Sequence, residues 1–281
     1  MALILIDGLP EKKDSISAFT WGCAYGYGLF ETLLILRNRP VFLEQHLKRM
    51  RLSAGLLQLA MPEEDDLIEW VWRLLRPGNV PVGKLKITLL ARERIPGEEK
   101  IAAHTVLSVQ PGRPYPESLY ETGVSIGLLN QTKNENSVLV KHKTLNYLEN
   151  LLGREQARKN NWFEGLFHNT KGRLCEGTVS NLFLVKDQTI ITPGVREGLL
   201  PGVTREIVIN LARRNKLPVA VGKITEKDLS EADEVFLTNS LFGIMPVTRI
   251  GDKIIRNGKP GELTKSLMNL YKDLLKDRGY L

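Results

Sequence analysis

Cysteine is scarce in this chain: only Cys23 and Cys175 occur in 281 residues, separated by most of the sequence. A disulfide framework is therefore not expected, and without a metal-type spacing of the two cysteines neither is a zinc site. No long uncharged apolar run occurs, so no membrane-spanning helix is expected. The start, Met1 to Gly8, is too short for a signal-peptide core and has no basic flank. It reads as a first strand ending in a turn, in a cytoplasmic protein. Repeats and low-complexity segments are also missing. The chain carries 39 Lys and Arg against 32 Asp and Glu, a net charge of +7. No aromatic-interleaved basic stripe accompanies that surplus, so nucleic acid is not an expected partner. It suits a solvated surface of Lys–Glu pairs or an anionic small-molecule substrate.

What remains is an ordinary globular composition, 42% hydrophobic and 25% charged. The length fits two modest domains, and the mixture of helices and strands predicts an α+β fold. Val41-Phe42-Leu43 reads as a strand end. Leu43, Leu47, Met50, Ala54 and Leu57 then recur at helical spacing. A second helix is predicted over 63–76, its start marked by Glu63-Glu64-Asp65-Asp66. Lys84 to Leu90 alternates as a strand with Leu85, Ile87 and Leu89 on one face, and 105–109 is a second apolar strand. Pro111-Gly112-Arg113-Pro114-Tyr115-Pro116 can continue neither a helix nor a central strand. This predicts a first domain over 1–112, a linker over 113–123 and a second domain over 124–281. In the second, 146–159 is a predicted helix with Leu148, Leu151 and Leu152 as its apolar side. Strands are expected over 164–169 and 234–238, hairpins about Asp187-Gln188 and Gly251-Asp252, and helices over 204–214 and 262–276.

Several residues could carry chemistry. Lys143 stands just ahead of the helix over 146–159, and a lysine amine becomes a nucleophile when desolvation or neighbouring cations lower its pKa. Alternation in Val140-Lys141-His142-Lys143 predicts that Lys141 and Lys143 share one strand face, so the segment by itself does not choose between them, and a basic surface turn is the plainer reading. Glu176 sits in a predicted polar turn between apolar runs. A carboxylate there could pair with a protonated ring nitrogen, or be an ordinary loop glutamate. Gly198-Leu199-Leu200-Pro201-Gly202-Val203-Thr204 leads into a helix whose free N–H groups could hold an anion, unless Thr204 simply caps it. Arg49, with His46 and Ser53, lines a polar stripe of the first helix and could reach a phosphate. Gly22, Gly26 and Gly28 have the wrong spacing for a dinucleotide fingerprint.

Taken in order, these segments resemble the class IV, fold-type IV pyridoxal phosphate enzymes, which include branched-chain and D-amino acid aminotransferases and aminodeoxychorismate lyases. The matching pieces are Gly26-Tyr27-Gly28-Leu29-Phe30-Glu31-Thr32, His46-Leu47-Lys48-Arg49 with Ser53, Lys143-Thr144-Leu145-Asn146, Glu176-Gly177-Thr178 through Ser180-Asn181, Gly202-Val203-Thr204-Arg205, and Ser240 ahead of Pro246-Val247. The resemblance selects Lys143 over Lys141. It implies a two-domain fold like that of D-amino acid aminotransferases, with pyridoxal 5'-phosphate between the domains, and a homodimer. It assigns Lys143 and Glu176 to catalysis, and Arg49, Lys143, Glu176, Ser180, Asn181, Val203, Thr204 and Ser240 to the cofactor. Phe30, Arg92 and Asn239 are assigned to the substrate. The runs 143–150 and 237–247 look most like the lyases. The Arg-Asn-His and Tyr-x-Arg-Pro patterns of the two aminotransferase groups are absent. The implied reaction is conversion of 4-amino-4-deoxychorismate to 4-aminobenzoate and pyruvate, with transamination of branched-chain or D-amino acids as the alternative.

Overall fold

A computed structural model of the protein describes residues 3–10, 16–77 and 79–281. The chain divides into two compact units. The first contains residues 1–114, 142–147 and 280–281; the second contains 115–141 and 148–279.

In the first unit lie β1 (Leu3–Ile6), β2 (Leu9–Pro10), α1 (Trp21–Tyr25), β3 (Gly28–Leu36), β4 (Arg39–Pro40), α2 (Leu43–Leu56), α3 (Glu64–Leu75), β5 (Val82–Ala91) and β6 (Ala103–Pro111). Met1 and Ala2 of the expected first strand fall outside the described residues. The six strands form one sheet in the order β2-β1-β6-β5-β3-β4. Leu85, Ile87 and Leu89 of β5 are fully buried on one face, as their alternation requires. They pack with Leu47, Met50 and Ala54 of α2 and with Leu67, Val71, Leu74 and Leu75 of α3. Burying one such side chain contributes roughly 1.5–3 kcal/mol. The strand expected to end at Val41-Phe42-Leu43 stops at Pro40, because Phe42 adopts φ 56° and its left-handed backbone starts the helix instead.

The second unit runs α4 (Ser118–Thr122), β7 (Val124–Lys133), α5 (Leu148–Lys159), β8 (Glu164–Asn169), β9 (Leu174–Gly177), β10 (Asn181–Lys186), β11 (Thr189–Pro193), α6 (Val203–Arg214), β12 (Val219–Gly222), α7 (Glu226–Ser230), β13 (Glu234–Asn239), β14 (Gly243–Ile250), β15 (Lys253–Ile254) and α8 (Glu262–Asp277). Its sheet runs β12-β11-β10-β13-β14-β7-β8-β9 with β15 on β14, and a β9–β10 pairing at Glu176 and Asn181 closes a ring. Asp187 and Gln188 both take positive φ, the geometry that a tight two-residue hairpin demands.

Two expectations fail here. Leu148, Leu151 and Leu152 are not the packed side of α5: they are 67%, 54% and 52% exposed. Gly153 and Ala157 are buried instead. A Cβ on Gly153 would lie 2.9 Å from Leu129 Cδ1 and Phe167 Cζ, so only the small-residue side lets the helix approach β7 and β8. Residues 140–142 are turn and bend and Lys143 lies in no strand, so Lys141 and Lys143 share no strand face.

Candidate functional site

In the first unit, alternation along β3 decides what each residue meets. Leu29, Glu31, Leu33 and Ile35 are buried, while Phe30, Thr32 and Leu34 lie on the other face. Glu31 is therefore a carboxylate among leucines and needs partners. Helix α2 supplies them: Arg49 Nε donates to Oε1 at 2.8 Å and Nη2 to Oε2 at 2.6 Å, and His46 Nδ1 lies 2.6 Å from Oε2. A carboxylate only accepts, so Nδ1 carries the hydrogen. Burial alone would raise the Glu31 pKa, but Arg49 and His46 outweigh it and hold it at about 2. For His46, burial lowers the pKa and Glu31 opposes; Arg49 and Lys143 add to the lowering, so the net direction is down.

Lys143 is attached to this same unit. Thr144 bridges Leu29 in antiparallel fashion, Phe30 N donates to Lys143 O and Leu145 N donates to Gly28 O, each at 2.9 Å. The segment thus extends the edge of β3. Gly28 permits it: a Cβ there would meet Leu145 Cδ1 at 2.6 Å. Ser53 Oγ bonds His142 Nδ1 at 2.8 Å, tying the segment to α2 as well. Lys143 Nζ sits 4.4 Å from the Phe30 ring centroid and 5.3 Å from that of Tyr147. Those two rings meet edge to face at 5.1 Å. Ring faces at these distances attract an ammonium electrostatically. Arg92 is elsewhere on the unit, half-exposed, where its Nη2 reaches Asp7 Oδ2 at 3.1 Å and His104 Nδ1 at 3.3 Å.

In the second unit, Glu176 lies on β9 and not in a turn, because β9 pairs with both β8 and β10. The turn follows at 178–180, and Glu164 organises it. Glu164 accepts from the backbone N–H groups of Gly165, Thr178 and Val179 and from the hydroxyls of Thr178 and Ser180. Glu176 itself is 6% exposed. Its Oε1 accepts from Lys133 Nζ at 2.6 Å and its Oε2 from Leu200 N at 2.9 Å. Next to it, burial pushes the Cys175 thiol up to about 12, which makes it inert. Asn181 Nδ2 donates to Leu200 O at 2.9 Å.

Helix α6 begins close by in sequence, at Val203. Its N-cap is Gly202, which has no side chain to cap with, and Thr204 is buried inside the first turn rather than capping it. A Cβ on Gly202 would collide with Asn181 Oδ1. Contrast α8, whose first N–H groups at Leu263 and Thr264 donate to the Glu234 carboxylate at 3.1 and 2.8 Å. Arg205 points away from the start of α6, donating to Pro193 O and Thr192 Oγ1. Asn239 ends β13, where its Oδ1 accepts from Leu241 N and Phe242 N, each at 2.9 Å, and its Nδ2 donates to Val179 O. It shapes the corner that carries Ser240.

Lys133, Glu164 and Tyr147 were not singled out from the sequence. Lys133 sits in the polar run Gln131-Thr132-Lys133-Asn134, which reads as a fraying strand end. The only available signal was its place at the close of an apolar strand. Among the described residues, no group of His, Cys, Asp and Glu could hold a metal ion, and no helix is long and apolar enough to cross a membrane.

Comparison with known proteins sets these features in a family. The amino-transferase class IV profile matches residues 28–250. A Methanocaldococcus jannaschii protein, provisionally assigned as a branched-chain-amino-acid aminotransferase, is 31% identical over 95% of this chain and 93% of its own. Aminodeoxychorismate lyase of Bacillus subtilis is 29% identical over 98% and 95%. The crystal structure of 4-amino-4-deoxychorismate lyase from Pseudomonas aeruginosa superposes with a TM-score of 0.86 at 32% identity, covering 96% of this chain and 98% of that one. The residues present suit the cofactor of that family. They include a lysine amine in an aromatic bracket, a buried carboxylate with acceptor positions left over, and a helix start whose N–H groups no side chain caps. The chain belongs to the class IV aminotransferase family, with the two-domain α+β architecture of fold type IV, and is a pyridoxal 5'-phosphate enzyme acting as a lyase or an aminotransferase.

Proposed function

We propose that this enzyme is an aminodeoxychorismate lyase, releasing 4-aminobenzoate and pyruvate from 4-amino-4-deoxychorismate. The observation that carries this reading is the run Leu237–Val247, in which the Asn239 turn presents Ser240 and which resembles the lyases. The 32% identity to the Pseudomonas aeruginosa lyase along almost the whole chain supports it. A second reading, branched-chain aminotransferase, is favoured by the 31% identity to the Methanocaldococcus jannaschii protein.

Bound pyridoxal phosphate supplies an electron sink beside the amine-bearing carbon of the substrate. Lys143 Nζ would hold the cofactor, and once displaced by the substrate amine it would be the general base for the proton on the amine-bearing carbon. Glu176 would accept a hydrogen bond from the ring nitrogen and so favour its charged form. By the family resemblance, the N–H groups of Val203 and Thr204, with Ser240 and Arg49, would hold the phosphate, and Ser180 and Asn181 would complete the surroundings of the cofactor. Phe30, beside Lys143, would contact the substrate, whereas Arg92 is held by Asp7 and His104 and Asn239 is occupied in shaping the Ser240 corner. Pyruvate departs from the neighbouring carbon and the remaining ring becomes aromatic, so no second acceptor has to bind.

The enzyme works as a homodimer, and the exposed Leu148, Leu151 and Leu152 on α5 supply an apolar face for the second copy. Sedimentation of Leu151→Glu should then show monomer where the wild type shows dimer.

The deciding experiment follows 4-aminobenzoate release from 4-amino-4-deoxychorismate. Release at a rate proportional to enzyme supports the lyase. No release, with glutamate accumulating from a branched-chain or D-amino acid and 2-oxoglutarate, rejects it in favour of an aminotransferase.

A further inference from the structure

Lys133 is an unusual residue to find where it is. It is 5% exposed at the end of β7, its Nζ lies 2.6 Å from Glu176 Oε1, and it sits 4.8 Å from the centroid of the Phe167 ring. At 3.5 Å it also reaches Asn150 Oδ1, whose amide nitrogen donates to Thr178 O at 2.7 Å. Isolated burial of either charge would be costly, and replacing such a pair by apolar residues is often neutral for stability. A pair kept for stability alone is therefore a weak explanation. We propose that Lys133 is a positioning residue that holds Glu176 by Oε1, so that the remaining acceptor positions of the carboxylate stay aimed at the ring nitrogen. This rests on the assignment of Glu176 to the ring nitrogen made above.

The geometry supports the division of labour. Lys133 and Leu200 N occupy one position on each oxygen, and a carboxylate offers about four, so room remains for a third donor. Burial alone would lower the Lys133 pKa, but Glu176 more than reverses that, so the ammonium persists. The other titratable groups acting on the pair are Cys175, whose thiol stays protonated, and Glu149 on α5, whose charge favours the ammonium.

The test compares the affinity of the apoenzyme for pyridoxal 5'-phosphate with that for its 1-deaza analogue, in which C–H replaces the ring nitrogen. The covalent attachment is common to both and cancels in the ratio. The wild type should prefer the natural cofactor by about tenfold or more, the worth of a charge-assisted hydrogen bond. Lys133→Met should shrink that preference by about fivefold, because a carboxylate without the ammonium at 2.6 Å from Oε1 loses the orientation that tells N–H from C–H. Lys133→Arg should restore it. Should Lys133→Met fail to fold, Lys133→Gln carries the same test. An unchanged ratio in the neutral variants, with both affinities falling together, overturns the proposal and leaves the pair a packing feature. Wild type and Glu176→Gln both indifferent to the ring nitrogen would instead remove the assignment of Glu176, and this proposal with it. A preference that Glu176→Gln abolishes and Lys133→Met preserves overturns the role of Lys133 alone.

Discussion

Glu31 and Glu176 are both buried carboxylates beside a cation, one in each unit, yet they are built differently. Three charged or polar donors from one helix converge on Glu31, and its pKa falls to about 2. Glu176 has one ammonium and one backbone N–H. A carboxylate with three donors from one helix is a fixed point that orients what surrounds it, here the guanidinium of Arg49. One with two donors has more acceptor capacity to offer. Burial and charge are common to both; the number of donors separates a scaffold group from a group that can meet a ligand.

The contrast can be broken from either side. The largest effect is expected for Glu31→Ala, which leaves His46 and Arg49 buried without their anion and should cost about 3–5 kcal/mol of stability, read from urea unfolding. Glu176→Gln should leave the fold largely intact and lower turnover by about a hundredfold or more, measured on the reconstituted enzyme; an unchanged rate would place Glu176 in the same scaffold class as Glu31. Next comes pH. The folded pKa of Glu31, about 2, is below its ordinary 4.5, so its contribution is complete above 4.5 and drains away as pH falls toward 2. His46 acts in the same direction from a higher start: its folded pKa lies below 6.5, so its contribution is complete above that value and declines as pH falls. Urea midpoints from neutral to acid pH should fall accordingly, and Glu31→Gln should flatten the acid part of the curve. The smallest effect belongs to Gly202→Ala. Its Cβ must displace Asn181, which should weaken pyridoxal phosphate binding by about tenfold, on the order of one hydrogen bond, with little change in the urea midpoint.

Much of the architecture was legible in the sequence because it rests on local rules. The strict alternation of Leu85, Ile87 and Leu89 could only be a half-buried strand, and the spacing of Leu47, Met50 and Ala54 only a helix. The family motifs led to the fold class. What misled was side-chain size. Three leucines on α5 outweigh Gly153 and Ala157 in any apolar pattern, yet close approach to a sheet selects the small residues. Glu176 was expected in a turn because glycine and small polar residues follow it, whereas pairing with two neighbouring strands keeps it extended. The candidate residues could be named from motifs, but their partners could not. Lys133 lies 43 positions from Glu176 and Glu31 lies 18 from Arg49, and nothing local announces such pairings.

The membership of residues 142–147 and 280–281 in the first unit has a practical meaning for dissection of the protein. A fragment ending at Pro114 would lose the strap on the edge of β3, and with it the hydrogen bonds from Leu145 N to Gly28 O and from Phe30 N to Lys143 O. It would also lose the Tyr280 hydroxyl that accepts from Phe42 N and the ring that stacks edge-on against Phe42. No single proteolytic nick or stop codon separates the units cleanly. A split version of this enzyme would have to carry the lysine strap as a graft, stitched to the first half by a designed loop.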